Sequence, residues 1–202
     1  MTEIIEYIEQ KYNPTAIIIY GSYADGTNNS YSDFDALVIS EDFGLIHDTS
    51  LVSGVRLDVF VYPLVYFENE YNCNDFVRII DGRIIMDTEN IGKNLQDSVA
   101  SYLQNLPCKT EWEIKNSIEW CEKMFERSKR DDAEGKYRWH WVLIDSWEIF
   151  CDAVRHTYYG PKKTLKWMAQ TQPEAFELYN IALSDFTMES LENWISYLKH
   201  IK

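Results

Sequence analysis

Apolar positions along the chain change their period near Leu106-Pro107. Before that point they fall in short runs separated by turn residues. In "EIIEYIEQKY" the residues Ile4, Ile5 and Ile8 have helical spacing, and Asn13-Pro14 closes the segment. "TAIIIY" is rich in β-branched residues and predicts a buried strand, with "DFDALVIS" a second. In "VRLDVFVYP" Leu57, Val59 and Val61 alternate with Arg56, Asp58 and Phe60, the period of a strand with one covered face. "GRIIMD" reads as a short fourth strand. After Pro107 the period lengthens. "EWEIKNSIEWCEKMFERSKR" and "YRWHWVLIDSWEIFCDAV" carry helical spacing over long spans, and "KKTLKWMAQT" and "LENWISYLKHI" read as further helices. The pattern predicts an α/β domain over residues 1–106 and a helical bundle over 107–202.

Charge sharpens the picture. Residues 1–100 hold 17 Asp and Glu against 5 Lys and Arg, and residues 101–202 hold 16 against 14. A protein that grips a nucleic-acid backbone offers a basic surface that releases counterions. This chain has no such surplus, which argues against a nucleic-acid substrate. A small cationic acceptor suits the acidic field, and solubility alone is the plainer explanation. No segment reaches 18 uninterrupted apolar residues, so no membrane span is expected. The acidic, amphipathic start lacks the pattern of a secretory signal. Cys73, Cys108, Cys121 and Cys151 are scattered without a CxxC pair. They read as reduced thiols of a cytoplasmic protein.

The candidate chemistry lies in "IIYGSYADGTNNSYSDFDALVIS". Asp33 and Asp35 are two apart, and on a strand such residues share a face. Like charges held close repel unless a cation neutralises them, and carboxylate oxygens suit Mg²⁺. Asp58 interrupts an otherwise apolar strand, and a lone buried acid there is costly. One metal site accounts for all three if the two strands are neighbours. Gly21-Ser22 ends the first strand at a turn whose free N–H groups and hydroxyl can hold a phosphate. Together these parts describe metal-assisted transfer to or from a phosphate.

This arrangement (strand, Gly-Ser, spacer, acid–x–acid, strand, then an acid in a later strand) resembles the DNA-polymerase-β-like nucleotidyltransferase superfamily. The resemblance implies an α+β chain: a nucleotidyltransferase catalytic domain with a mixed sheet and helices over 1–106, then a helical bundle over 107–202. It implies Gly21 and Ser22 at the triphosphate, and Asp33, Asp35 and Asp58 on two Mg²⁺ ions. "YSDFDALVIS", "LDVFVY", "DGRIIMDTENIGKNL" and "EKMFERSKR" are further similar to the kanamycin nucleotidyltransferase family of antibiotic-modifying enzymes. That similarity implies Glu126 as the general base, Arg130 at the nucleotide phosphates, and a homodimer whose site forms between subunits. Arg130 stands where that family has lysine, which keeps the charge and changes the geometry.

The expected function is transfer of AMP from ATP to a hydroxyl of a small molecule, aminoglycoside-like. The alternative is an antitoxin-type protein of the same fold that modifies or binds a partner protein. A surface ion pair with Arg130 competes with the base role of Glu126. Asp145 and Glu148, three apart, are alternative bases, or else an acidic stripe balanced by Arg138 and Arg155. Lys162, Lys163 and Lys166 follow Gly160-Pro161 at a helix start and read as surface lysines or phosphate contacts. His47, His140, His156 and His200 have no metal-ligand spacing and read as core or surface residues. Trp139, Trp141 and Trp147 read as bundle core. No P-loop or dinucleotide fingerprint is present, and no Arg–His spacing supports an RNase role.

Overall fold

The computed structural model describes residues 1–201 and divides into two compact units, Met1–Leu106 and Pro107–Lys202. The first is built on a mixed sheet. Its strands are β1 (Pro14–Ile19), β2 (Phe34–Ser40), β3 (Ile46–Asp48), β4 (Leu51–Val52), β5 (Val55–Pro63) and β6 (Arg83–Asp87). The order is β3-β5-β2-β1-β6, with β4 paired to β5. β2 and β5 run parallel, and the other pairs are antiparallel.

Helix α1 (Thr2–Tyr12) buries Ile4, Ile8 and Tyr12, one stripe at four-residue spacing, and Asn13 ends it in the left-handed region (φ 42°). The stripe packs on Ile17, Ile19, Phe34, Val38, Leu57, Val59 and Val61. The opposite face of the sheet, with Ala16, Ile18, Leu37 and Ile39, is covered by Phe76 and Ile79 of a 3-10 helix (Cys73–Ile79) and by Leu95 and Val99 of a later helix. Both faces of β1 and β2 are therefore covered, which is why these strands read as continuous apolar runs.

In the order of the chain, α2 (Ser22–Asp25) and α3 (Leu64–Glu68) are single short turns, and α4 (Ile91–Gln104) completes the first unit. Neither α4 nor the short β3 and β4 was expected from periodicity. The buried set of α4, Gly92, Leu95 and Val99, is a narrow stripe among polar residues. β3 and β4 have three and two residues, too few to display alternation.

The second unit is all helical: α5 (Glu111–Ser128), α6 (Ala133–Ala153), α7 (Pro161–Thr171), α8 (Pro173–Asp185) and α9 (Met188–Lys199). Thr110 and Glu113 close a reciprocal capping box at the start of α5. Asp132 caps α6 by accepting from the Gly135 N–H at 2.8 Å. Cys121, Phe125, Trp139, Leu143, Trp147, Phe150, Met168, Tyr179, Leu191 and Trp194 form the core. The Trp194 indole N–H donates to Ser146 Oγ at 2.8 Å, so the largest buried ring keeps its polar atom paired. α8 was not expected as a separate helix; Pro173 starts it two residues after α7 ends. Trp141 departs from its expected place in the core: it is exposed, edge-on to Trp120 at 5.4 Å between ring centres. All four cysteines are free; Cys121 and Cys151 are buried, whereas Cys108 is exposed.

Candidate active site

The site elements of the first unit gather at one end of the sheet. β1 ends at Ile19, and the Tyr20 N–H donates to the carbonyl of Asp35 at 3.1 Å, so the chain leaves β1 beside the start of β2. Gly21 follows with φ 64° and ψ −149°, a combination essentially restricted to glycine. Space imposes the same requirement. A β-carbon at Gly21 would lie 2.4 Å from Asp35 Oδ2. The Gly-Ser turn is thus folded directly against the Asp35 carboxylate, with Ser22 the first residue of α2.

In the parallel ladder Asp35 of β2 stands opposite Asp58 of β5. Side chains in register across a ladder lie close together. Asp35 is half-buried, and its pKa is pushed up to about 6 by burial, then by the charges of Asp58 and Asp33, with Arg78 opposing. Asp33 lies before β2, in non-strand backbone, and is exposed. Strand alternation therefore does not align it with Asp35, a correction to the expected i, i+2 strand pair, although its charge still reaches that carboxyl.

Sequence reasoning missed three neighbours. His47 of β3 is cross-strand from Phe60, and its ring stacks on it at 4.2 Å and 5°. Its Nε2 lies 2.6 Å from Asp58 Oδ1. His47 is therefore a partner of a site acid and not an isolated surface residue. Arg78 of the 3-10 helix places its guanidinium 5.1 Å from the Phe60 ring centre and 6.0 Å from that of Tyr20. Tyr20 itself is buried, with its hydroxyl outside any normal hydrogen bond. No motif flags these residues. The scarcity of basic side chains in the first half was the one usable signal for Arg78.

Among the described residues no three or more His, Cys, Asp or Glu are grouped as a ready metal site. The fit of a divalent cation rests on chemistry: hard carboxylate oxygens, and an Asp35 carboxyl whose ionisation is opposed by its acidic neighbours. Asp35 and Asp58, in register, with the nearby Asp33 are the residues that could hold such an ion.

Glu126 and Arg130 belong to the second unit. Glu126 lies on α5, is exposed, and accepts from Lys129 Nζ at 2.7 Å. Arg130 pairs with Asp132 at 2.7 Å and with Glu134 at 2.8 Å. The expected Glu126–Arg130 ion pair is thus replaced by two separate sets. Arg138 pairs with Glu134, and Arg155 donates to the carbonyl of Lys109. Neither balances Asp145 and Glu148, which instead line a cavity of about 480 Å³ with Lys109, Asn116, Ser117 and Trp120. Lys162, Lys163 and Lys166 lie in α7, whose first residue is Pro161.

Comparison with known proteins bears on the first unit. The family model described as a nucleotidyltransferase domain matches residues 1–91. A Methanocaldococcus jannaschii protein named "Putative protein adenylyltransferase MJ1305" is 25% identical, over 58% of this chain and 94% of its own length. A crystal structure of a nucleotidyltransferase-like protein from Exiguobacterium sibiricum aligns at a TM-score of 0.43 and 15% identity, covering 99% of this chain and 72% of that one. Residues 1–91 are a nucleotidyltransferase domain of the DNA-polymerase-β-like superfamily. A nucleotidyltransferase domain acts on a nucleotide, and residues 1–91 resemble such an enzyme domain. No helix among the described residues is long and apolar enough to cross a membrane.

Proposed function

We propose that the chain transfers AMP from ATP to a hydroxyl group, using Mg²⁺ held by Asp33, Asp35 and Asp58. The observation that carries this reading is the pairing of Asp35 with Asp58 in register, with Gly21 folded against Asp35. Bound there, two Mg²⁺ ions would supply Lewis-acid polarisation of the α-phosphoryl group and neutralise charge on the departing pyrophosphate. Gly21 and Ser22 hold the terminal phosphates through backbone N–H groups and the Ser22 hydroxyl. The acceptor oxygen attacks the α-phosphorus, and the bond to the pyrophosphate oxygen breaks. The hydroxyl proton passes to a carboxylate, for which Glu126 is the candidate, and Arg130 assists at the phosphates. In a homodimer Glu126 of one copy would serve Asp35 of its partner.

The acceptor in this reading is a small hydroxylated molecule, aminoglycoside-like, because the acidic excess of residues 1–100 suits a cationic one. The name of the M. jannaschii relative favours a second acceptor class, a hydroxyl on a protein side chain. Incubation with ATP labelled at the α-phosphate, Mg²⁺ and separate pools of aminoglycosides, metabolites and cell proteins distinguishes them. Mass spectrometry should find an added AMP on a small molecule. Label only on protein hydroxyls would transfer the assignment to protein modification. Efficient labelling of tRNA or single-stranded DNA alone would overturn both.

A further inference from the structure

The first unit holds five basic side chains, Lys11, Arg56, Arg78, Arg83 and Lys93. Three have close partners: Lys11 reaches Asp48 at 3.1 Å, Lys93 pairs with Asp97, and Arg83 Nη2 meets the Met1 sulfur at 3.4 Å. Arg56 and Arg78 make no ion pair among the described residues. Of these two, Arg78 is the one whose charge reaches Asp35. It is exposed, yet its guanidinium lies over Phe60 and Tyr20.

A guanidinium held through its face keeps its edge N–H donors free, and that edge matches two oxygens of a phosphate. Phe60 is itself braced by the His47 ring. The platform is therefore built and not a chance contact of a surface arginine. Beside it, Tyr20 is 6% exposed, and its hydroxyl sits near the Arg78 guanidinium without a hydrogen bond of normal geometry. That hydroxyl helps hold Arg78 in place beside the Gly21-Ser22 turn. Charge points the same way. Three carboxylates repel a polyphosphate, and a fixed cation at their edge offsets part of that repulsion.

We propose that Arg78 is a phosphate-binding residue of the nucleotide site, seated on Phe60 and Tyr20. This rests on the nucleotidyl-transfer reading and adds a cation within the first unit that sequence reasoning did not assign. The test is displacement of a fluorescent ATP analogue by ATP and by tripolyphosphate, on wild type, Arg78→Gln, Arg78→Lys, Arg56→Gln and Arg130→Gln, with circular dichroism as the folding control. Arg78→Gln should weaken both competitors by about tenfold to a hundredfold, the range for hydrogen bonds to a charged group. Arg78→Lys should fall between, since it keeps charge without the fork, and it carries the test if Arg78→Gln misfolds. Arg56→Gln should bind as wild type does. Unchanged tripolyphosphate affinity in folded Arg78→Gln or Arg78→Lys overturns the proposal. A rise in acceptor KM with nucleotide affinity intact also overturns it. Wild type that binds no nucleotide at all overturns the nucleotidyl-transfer reading and this proposal with it.

Discussion

Asp35 of β2 and Asp58 of β5 face each other in a parallel register, and the Asp35 carboxyl titrates near pH 6 because of burial and its acidic neighbours. The first consequence is a pH dependence of the metal-free protein. A carboxyl whose folded pKa is raised binds its proton more tightly in the fold than in the unfolded chain. Stability therefore falls as pH rises from the unfolded value of 3.8 to about 6, and this effect is constant above that. Asp35→Asn removes the penalty. In EDTA at pH 7 it should raise stability by about 1–2 kcal/mol, allowing for solvent screening at a half-buried site. Denaturant melts of the two proteins at pH 4 and pH 7 check this. A difference that does not grow with pH would contradict the like-charge account.

Gly21→Ala should be damaging for two independent reasons, its backbone angles and the 2.4 Å approach to Asp35 Oδ2. Forcing a side chain into that conformation costs about 1–3 kcal/mol. Melting temperature should fall, and turnover should fall further than stability explains, because the Gly-Ser turn and Asp35 move together. Full activity in Gly21→Ala would remove the turn from the site.

Asp48 anchors α1 to β3 away from the chemistry. It is buried and accepts from Tyr12 at 2.7 Å, Tyr7 at 3.2 Å, Lys11 at 3.1 Å, and the Ser50 N–H and hydroxyl at 2.9 and 2.5 Å. Burial opposes its ionisation, but the Ser50 and Tyr12 hydroxyls, the Ser50 N–H and Lys11 together hold its pKa well below the carboxylate range. Its contribution is full above the unfolded pKa and lost as pH falls below it. Asp48→Ala should destabilise by about 1–3 kcal/mol, the cost of leaving the buried Tyr12 hydroxyl without its acceptor, since Lys11 is exposed and can be solvated. Urea unfolding at pH 7 and pH 3 would show a smaller loss at the lower pH.

Glu126→Gln keeps shape and removes proton acceptance. If Glu126 is the base, kcat should drop by about 10²–10⁴-fold with nucleotide affinity nearly unchanged. The comparison is with Asp145→Asn and Glu148→Gln, whose side chains line the cavity of the second unit. A loss under about threefold at Glu126 would eliminate it against that expected range and give the role to whichever of the others fails. Partial rescue on mixing Glu126→Gln with Asp35→Asn would show a site shared between two copies.

The β-branched runs of β1 and β2, the alternation of β5 and the long helical periods of α5 and α6 were legible in sequence because burial imposes a strict period on them. The Gly-Ser turn at the end of β1 and the strands that carry Asp35 and Asp58 were legible, whereas Asp33 falls before β2 and outside the expected strand pair. His47, Tyr20 and Arg78 were not. Their roles arise from cross-strand register and from a 3-10 helix whose Arg78 is 43 residues from Asp35 in sequence, and no spacing along the chain encodes that. Glu126 illustrates the converse: an i,i+4 pair with Arg130 was readable, but Lys129 and the Asp132 cap compete for the same charges.

In the proposed reaction Asp35 and Asp58 form the core of the nucleotidyl-transfer site. Its most direct test is Mg²⁺-dependent pyrophosphate release from ATP in the presence of the acceptor pool, measured for wild type, Asp35→Asn and Asp58→Asn. Wild type should release pyrophosphate in step with AMP-labelled product, and both variants should be inactive while remaining folded. Release that persists in either folded variant at the wild-type rate would contradict the account.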